Sequence, residues 1–368
     1  MSFLVREITI KDGIEDFLSI SSGIYRNDPN RVAPQQSELL RILNPRKNPY
    51  FLNASLKIYV CYSDGLPVSR AILVINRHYW TRWNKKSAFF GFFESYYDTA
   101  AVGNLFDKIE AESRAAGAEY LEGPFNPNHY SELGILTDNF NVPPAFFETY
   151  NPVYYPSLLR CAGFSESNRF QTRINNNILA TLSEKYRPTG KETVSKDITI
   201  RKFNIYRFKR DLEILRDINN DAFENNEYFL PLSIDEYKFS AKYLFFVTSP
   251  RLILIAEYKG MPVGAAQFVV NFNNLVKSYN GRIMPWHIPG LLWKRRNLKE
   301  LVIFTAGVKK AFRKTRVFAL MLKSAINIFR NYSSISTTWI SDENLGNNLD
   351  NLLDMKPRKH FAIYSKQL

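Results

Sequence analysis

Five basic side chains, Lys309, Lys310, Arg313, Lys314 and Arg316, fall within eight consecutive residues, just ahead of an apolar stretch with helical periodicity, Val317–Asn331. Positive charge at the start of a helix opposes the helix dipole, which is itself positive there. Such a cluster costs stability unless an anion offsets it, and the free N–H groups of a helix start suit a phosphate. Anion binding is the chemistry these residues imply; the plain alternative is a solvated basic helix start. A second group is Trp286, Leu291, Leu292 and Trp293, followed by Lys294-Arg295-Arg296. Tryptophan beside basic residues suits the boundary of an anionic bilayer; the plain alternative is a core-covering loop with a basic edge. The four histidines (His78, His129, His287, His360) are scattered, and Cys61 and Cys161 have no metal-binding spacing. No metal site and no disulfide framework are expected, and a reducing cytoplasm fits best.

The whole chain explains where these groups stand. It has 368 residues, 45% hydrophobic and 23% charged, a folding composition long enough for two domains. Its formal charge of +14 is uneven. Residues 1–190 carry 20 basic and 19 acidic residues, whereas residues 251–332 carry 15 basic residues against Glu257 and Glu300 alone. A polyanion or anionic surface is therefore expected at the second half. No apolar run is long enough for a transmembrane helix, and Met1–Glu7 lacks the apolar core of a signal peptide.

An internal repeat organises the chain. Gly65-Leu66-Pro67-Val68 recurs as Gly260-Met261-Pro262-Val263, and Val5-Arg6-Glu7-Ile8 resembles Ile200-Arg201-Lys202-Phe203, both at an offset of 195. The first half reads as strand Phe3–Ile10, helix Gly13–Tyr25, strands Leu56–Tyr62 and Val68–Asn76, strand Ser87–Glu94, helix Thr99–Ala116 and strand Tyr120–Glu122. Glycine and proline are expected to set the turn between the second and third strands, and Thr99 to cap the helix. The second half repeats this order: Ile198–Phe203, Tyr206–Phe223, Leu252–Tyr258, Val263–Asn271, Leu301–Ala306, Val317–Asn331 and Ser336–Ile340. The expected domains are 1–182 and 197–368, with a polar linker at 183–196. Asn151-Pro152 suits a helix start and Gly163 its stop.

The order strand, helix, three strands, helix, strand resembles the GNAT acyltransferase superfamily. That resemblance implies an α/β fold of two tandem GNAT-like domains, each a mixed, mostly antiparallel twisted sheet flanked by helices. In this superfamily the fourth strand splays from the fifth, acyl-CoA lies in the opening, and its pyrophosphate sits at the start of the next helix. Segment Gly307–Leu320 resembles the pyrophosphate loop, with Arg313 at its first position. Arg316 and Phe318 stand where the family has small residues, so basic side chains would replace the backbone cradle. The implied cofactor-binding residues are Val308, Lys309, Lys310, Arg313, Lys314 and Arg316. The matching segment of the first half, Ser95–Gly103, has one acid and no basic residue, so the second half is expected to hold CoA.

Four segments narrow the likeness: Gly91-Phe92-Phe93-Glu94, Leu121–Asn126, Asn151–Tyr155, and Asn280–Pro285 running on to Gly307-Val308. Together they resemble the double-GNAT proteins of bacteria that include the bacterial ceramide synthase family. The resemblance implies direct acyl transfer from acyl-CoA to a primary amine such as a sphingoid base, without a covalent enzyme intermediate and without a metal. By that resemblance Glu94 is the candidate base, Tyr154 or Tyr155 protonates the leaving thiolate or orients substrate, and Asn126, Asn151 and Phe92 line the acceptor site. Phe89, Phe90, Phe92, Phe93, Phe146 and Phe147 suit an acyl-chain pocket or equally a plain core. Trp286, Leu292, Trp293 and Arg295 are the expected membrane contacts of a cytoplasmic, peripheral protein. A soluble amine acceptor, a non-catalytic acyl-CoA binder and a nucleic-acid binder are the alternatives; no nucleic-acid-binding signature is visible.

Overall fold

Two hairpins carry the repeat. Asp64 and Gly65 have φ 48° and 82°; Lys259 and Gly260 have φ 48° and 80°. Two successive left-handed residues make the tight turn whose twist suits a two-residue hairpin, which is why glycine holds the second place in both copies. The turns join β2 (Ala54–Ser63) to β3 (Leu66–Asn76), and β9 (Ile253–Tyr258) to β10 (Met261–Val270). The expected turn-setting role of proline is corrected here. Pro67 and Pro262 sit one residue inside the second strand, beside a register shift in each hairpin. A bulge tolerates a residue with no N–H to give.

The computed structural model describes residues 2–185, 197–342 and 348–368. In the first unit β1 (Phe3–Ile8), α1 (Ile14–Ile24) and α2 (Gln36–Ile42) precede β2 and β3. Then come α3 (Arg77–Trp83), β4 (Ser87–Ser95), α4 (Thr99–Ala115), β5 (Tyr120–Gly123), β6 (Ile135–Leu136), α5 (Tyr155–Cys161) and the start of β7 (Ser165–Asn175). The second unit has α6 (Ile178–Lys185), β8 (Ile198–Lys202), α7 (Phe208–Ala222) and α8 (Ile234–Val247) before β9 and β10. There follow α9 (Asn273–Val276), α10 (Ile288–Lys294), β11 (Glu300–Val308), α11 (Val317–Phe329), β12 (Ser334–Thr337), β13 (Ile340–Ser341), α12 (Asn348–Leu353) and the start of β14 (Lys356–Gln367).

The two units have matching sheets. In the first, β1, β2, β3 and β4 pair antiparallel in order, β4 pairs parallel with β5, and β5 pairs antiparallel with the Tyr364–Gln367 part of β14. In the second, β8, β9, β10 and β11 pair antiparallel, β11 pairs parallel with β12, and β12 pairs antiparallel with Ile174–Asn175 of β7. Each is therefore a mixed, mostly antiparallel sheet. Residues 1–171, 280–282 and 359–368 form the first unit; 172–279 and 283–358 form the second. These limits differ from a split at 182–197, because strand pairing places each unit's sixth strand in sequence that the repeat does not include. Of the expected linker, Ser183–Lys185 end α6 and 186–196 lie outside the described residues.

The first unit's core joins Tyr59, Leu73 and Phe90 of the sheet to Leu105, Phe106 and Ile109 of α4, Tyr155 of α5, Phe164, and Tyr364 of β14. Phe89, Phe90, Phe93 and Phe146 are all buried, so most of the aromatics weighed for an acyl pocket pack within the fold. Among the described residues no helix is long and apolar enough to cross a membrane.

The feature that prepares a site is the parting of β4 from β5. Pairing runs from Ser87 opposite Tyr120 to Phe89 opposite Glu122; β5 then ends while β4 continues. Beyond that point β4 bulges: Ile72 and Arg70 of β3 oppose Gly91 and Glu94, so two β4 residues face one on β3. Phe92 takes a left-handed φ of 47° there. The chain after β5 returns across the bulge, with the Phe125 N–H donating to the Phe90 carbonyl at 2.8 Å. A Cβ on Gly91 would lie 1.7 Å from the Phe125 carbonyl oxygen. Gly91→Ala is therefore expected to lower stability by about 1–3 kcal/mol through overpacking against backbone. Urea unfolding checks this against Gly103→Ala, whose Cβ meets open space.

Candidate active site

Glu94 ends the bulged part of β4 and is only 8% exposed. A carboxylate so placed needs partners, and four side chains supply them. The hydroxyls of Tyr155 and Tyr25 both donate to Oε2, at 2.6 and 2.9 Å. The guanidiniums of Arg70 and Arg31 approach Oε1 at 3.7 and 3.9 Å. Arg70 comes from β3, directly opposite Glu94 in register, and donates to the Phe17 carbonyl of α1 while lying over the Phe17 ring. Arg31 lies over the Tyr25 ring and donates to Ser21 Oγ at 2.8 Å. Burial, then the Glu94 charge, hold the phenols of Tyr25 and Tyr155 well above the usual tyrosine range. Burial pulls the Arg70 guanidinium down, and Glu94 opposes that.

The neighbouring tyrosines differ in duty. Tyr155 is buried, and its oxygen also accepts the Ser95 N–H at 3.0 Å. Tyr154 is half-buried, donates to the Ser95 carbonyl at 2.9 Å and packs against Tyr97. Burial pushes its phenol up to about 12. Asn126 accepts the Phe92 N–H on Oδ1 at 2.6 Å, bracing the bulge. Asn151 is corrected. It is buried, its Oδ1 accepts the Leu136 N–H and its Nδ2 donates to the Leu136 and Pro152 carbonyls. Those bonds tie two backbone segments together, and helix α5 begins only at Tyr155.

Tyr25, Arg31 and Arg70 escaped the sequence reading. Arg70 had a signal: one charge inside the apolar strand Val68–Asn76. Tyr25 and Arg31 lie around the exit of α1, where nothing in the spacing marks them.

The helix starts after the two fourth strands contrast. At α4 the Asp98 carboxylate accepts the N–H groups of Ala100 and Ala101 at 2.9 and 3.0 Å, so Asp98 rather than Thr99 is the cap. That start is closed to another anion. At α11 the N-cap residue, Arg316, makes no side-chain cap, and Thr315 Oγ1 accepts the Val317 N–H at 3.4 Å. Val308 is buried at the end of β11. The N–H groups of Lys309 and Lys310 are taken by the Val263 carbonyl and by Asp221. The Lys310 ammonium pairs with Glu224, and Arg313 donates to the Ala222 carbonyl that ends α7. Both therefore serve the end of α7, where cations are favoured. The expectation of free phosphate ligands is corrected for these two, and Lys314 and Arg316 are exposed, with no ion pair or side-chain hydrogen bond among the described residues.

The second unit lacks a counterpart of the buried pair. Gly307 opposes Ala265 in β11 and β10, where Glu94 opposes Arg70 in the first unit. In the insert, Trp286 and Trp293 are 72% and 66% exposed, and Leu292 and Met284 are exposed beside them. Lys294 and Arg296 are exposed too. Arg295 is corrected: it is half-buried and donates to the Thr248 carbonyl at 3.1 Å.

Comparison with solved structures decides the fold. A tandem GNAT protein from the clavulanic acid biosynthesis pathway superposes with a TM-score of 0.57, covering 100% of this chain and 98% of that one at 9% identity. This chain has a tandem GNAT fold. No protein-family model matches it. Protein YghO of Escherichia coli (strain K12) is 26% identical over 377 residues, covering 99% of this chain and 95% of that protein. A bacterial ceramide synthase of Caulobacter vibrioides (strain NA1000 / CB15N) is 25% identical over 341 residues, covering 90% of this chain and 88% of that protein.

Removing Arg70 from this tandem GNAT chain should expose what Glu94 costs. Arg70→Met is expected to lower stability by about 3 kcal/mol, because it strands a buried charge. Arg313→Ala, at the end of α7, should cost only about 0.5–1 kcal/mol. Chemical denaturation of both variants checks the contrast.

Proposed function

We propose that this protein is an acyl-CoA-dependent N-acyltransferase that acylates a lipid-like primary amine, in the manner the ceramide synthase relative suggests. The observation that carries the reading is Glu94, a nine-tenths buried carboxylate at the bulged end of the fourth strand, in a tandem GNAT fold. The amine nitrogen attacks the thioester carbonyl. A C–N bond forms, the C–S bond breaks, and the amine loses a proton. Glu94 receives that proton, directly or through a water. Tyr25 and Tyr155 hold the carboxylate in place by their hydrogen bonds. Tyr154, with a phenol at about 12, holds its proton more tightly than a thiol of roughly 8.5 does. Its one hydrogen goes to the Ser95 carbonyl, so to orient the thioester or the leaving thiolate the hydroxyl turns from that carbonyl to the substrate, and solvent protonates the thiolate. Asn126 has Nδ2 left for an acceptor hydroxyl beside Phe92.

The phosphates of CoA are assigned to the start of α11, where Thr315 takes one N–H, Lys314 and Arg316 are exposed and Lys309 adds charge. Asp98 makes the matching start in the first unit unsuited to them. The exposed Trp286, Leu292 and Trp293, with Lys294 and Arg296, support a peripheral site on an anionic bilayer, from which a lipid amine would be drawn.

Incubation with long-chain acyl-CoA and a panel of amines, read by mass spectrometry, should yield an N-acyl product. Glu94→Gln should cut turnover at least about a hundredfold, the scale of general-base catalysis, with acyl-CoA affinity unchanged. Lys314→Ala with Arg316→Ala should show the reverse, weaker acyl-CoA binding in an intact fold. Failure of the wild type to acylate any amine defeats the reading.

The membrane part has its own check. The wild type should sediment with vesicles containing phosphatidylserine at physiological salt. Trp286→Ala with Trp293→Ala should stay in the supernatant. Wild type that does not sediment leaves a soluble amine as the acceptor.

A further inference from the structure

Glu94 stands alone against two cations. Arg31 and Arg70 both face Oε1, at 3.9 and 3.7 Å, and neither guanidinium forms an ion pair with another carboxylate among the described residues. Glu132 is near Arg31 but forms no ion pair with it. The phenols of Tyr25 and Tyr155 donate to the other oxygen, Oε2, and are neutral. One negative charge thus answers two positive ones. An enclosed excess of charge is costly unless a further group offsets it, and the group wanted here is an anion.

The two arginines differ in what they leave open. The Arg70 side chain is 4% exposed, and its Nε is sealed from solvent without a hydrogen bond. The Arg31 side chain is 15% exposed. It gives one Nη2 hydrogen to Ser21 Oγ at 2.8 Å, and its guanidinium carbon lies 4.2 Å from the centre of the Tyr25 ring. Its Nε and Nη1 make no hydrogen bond and are not sealed from solvent, and the same is true of Glu94 Oε1. A cation with unused N–H donors and a carboxylate oxygen with unused lone pairs therefore lie side by side, both open to solvent. The chain around Arg31 is braced. Its N–H donates to the Asp28 carbonyl at 3.4 Å, and the Asp28 carboxylate accepts the Asn30 N–H and the Tyr150 hydroxyl, each at 2.8 Å.

We infer that the acceptor carries an anionic group beside its amine, and that Arg31 is the residue that selects it. The amine nitrogen sits at Glu94 Oε1, and the anion takes the remaining N–H groups of Arg31. The amine must be neutral to attack, and in that form the acceptor brings one negative charge, which balances the two guanidiniums against Glu94. An α-amino acid, with its carboxylate on the carbon that bears the amine, suits groups this close together. A phosphate near an amine, as in an aminophospholipid headgroup, offers the same chemistry. This deepens the proposed acyl transfer by naming the class of acceptor, and rests on it for the amine.

The test is calorimetry on the full chain without acyl-CoA, with two pairs of probes. 2-Aminooctanoate and n-heptylamine differ by a carboxylate; O-phosphoethanolamine and ethanolamine differ by a phosphate. In at least one pair the wild type should bind the anionic member about tenfold tighter, the scale of a charged hydrogen bond. A preference in the first pair alone makes the anion a carboxylate, and in the second alone a phosphate. Arg31→Gln should abolish the preference and leave the affinity for the plain amines unchanged, and Arg31→Lys should keep part of it. Arg26→Gln, which removes an exposed charge earlier on the same segment, should retain it, as should Glu94→Gln. Equal affinity within both pairs, no binding of any probe, or a preference that survives Arg31→Gln overturns the inference. So does an Arg31→Gln variant that loses both members of a pair equally, since that marks a merely structural role. A wild type with the preference but no acyl transfer defeats the proposed activity and leaves the anion site standing.

Discussion

A negative charge buried at the end of one strand governs the arrangement of the first unit. A carboxylate buried there needs partners, and those of Glu94 come from separate stretches of chain: hydrogen bonds from Tyr25 at the end of α1 and Tyr155 at the start of α5, and the nearby charges of Arg31 after α1 and Arg70 on β3. Each is itself fixed by something else. Arg70 is held by the Phe17 carbonyl, Arg31 by Ser21, Tyr155 by the Ser95 N–H and Tyr25 by the Tyr150 carbonyl at 3.3 Å. A carboxylate with this much support is pre-oriented, which is what a proton acceptor in acyl transfer requires. It is also a position where losing any one partner leaves the others mispaired.

The two copies of the fold share topology and have diverged in chemistry. Their hairpin turns, their bulged fourth strands and their parallel step from fourth to fifth strand all match. In the first copy the register places Arg70 opposite Glu94; in the second it places Ala265 opposite Gly307. The helix after the fourth strand is capped by Asp98 on two N–H groups in the first copy, and in the second it starts among basic residues with Thr315 on one N–H. One copy therefore holds a buried carboxylate and the other a basic helix start, and the +14 charge is concentrated in the second half.

Much of the fold was legible because the repeated strands are apolar and their turns carry glycine. The first five strands of each half, with α1, α4, α7 and α11, fall within a few residues of where periodicity puts them; α2, α3, α8 and α10 were not expected. Among the strands, β7 and β14 also escaped. Their sequences, such as Ser165–Asn175, are mostly polar and show no two-residue alternation, since pairing partners rather than a hydrophobic face define them. Family likeness singled out Glu94 and Tyr155, and the structure joins them by a hydrogen bond of 2.6 Å. Asn151 misled, because a side chain that bridges two backbone segments looks in sequence like one that caps a helix. Lys310 and Arg313 misled in a related way. Charge density marks an anion site, yet only the fold reveals that the end of α7 already uses two of those charges.

The pairing of β5 with Tyr364–Gln367 sets an order of events during synthesis. The sheet of the first unit is open along β5, and Tyr364 is missing from its core, until residues 359–368 have been made. At about 5–20 residues per second, translating the intervening second half takes on the order of ten to forty seconds. Throughout that interval the nascent first copy presents an unpaired strand edge, the kind that invites mispairing. The repeat looks like two folding units joined end to end, but its last strand makes the earlier copy wait for the later one.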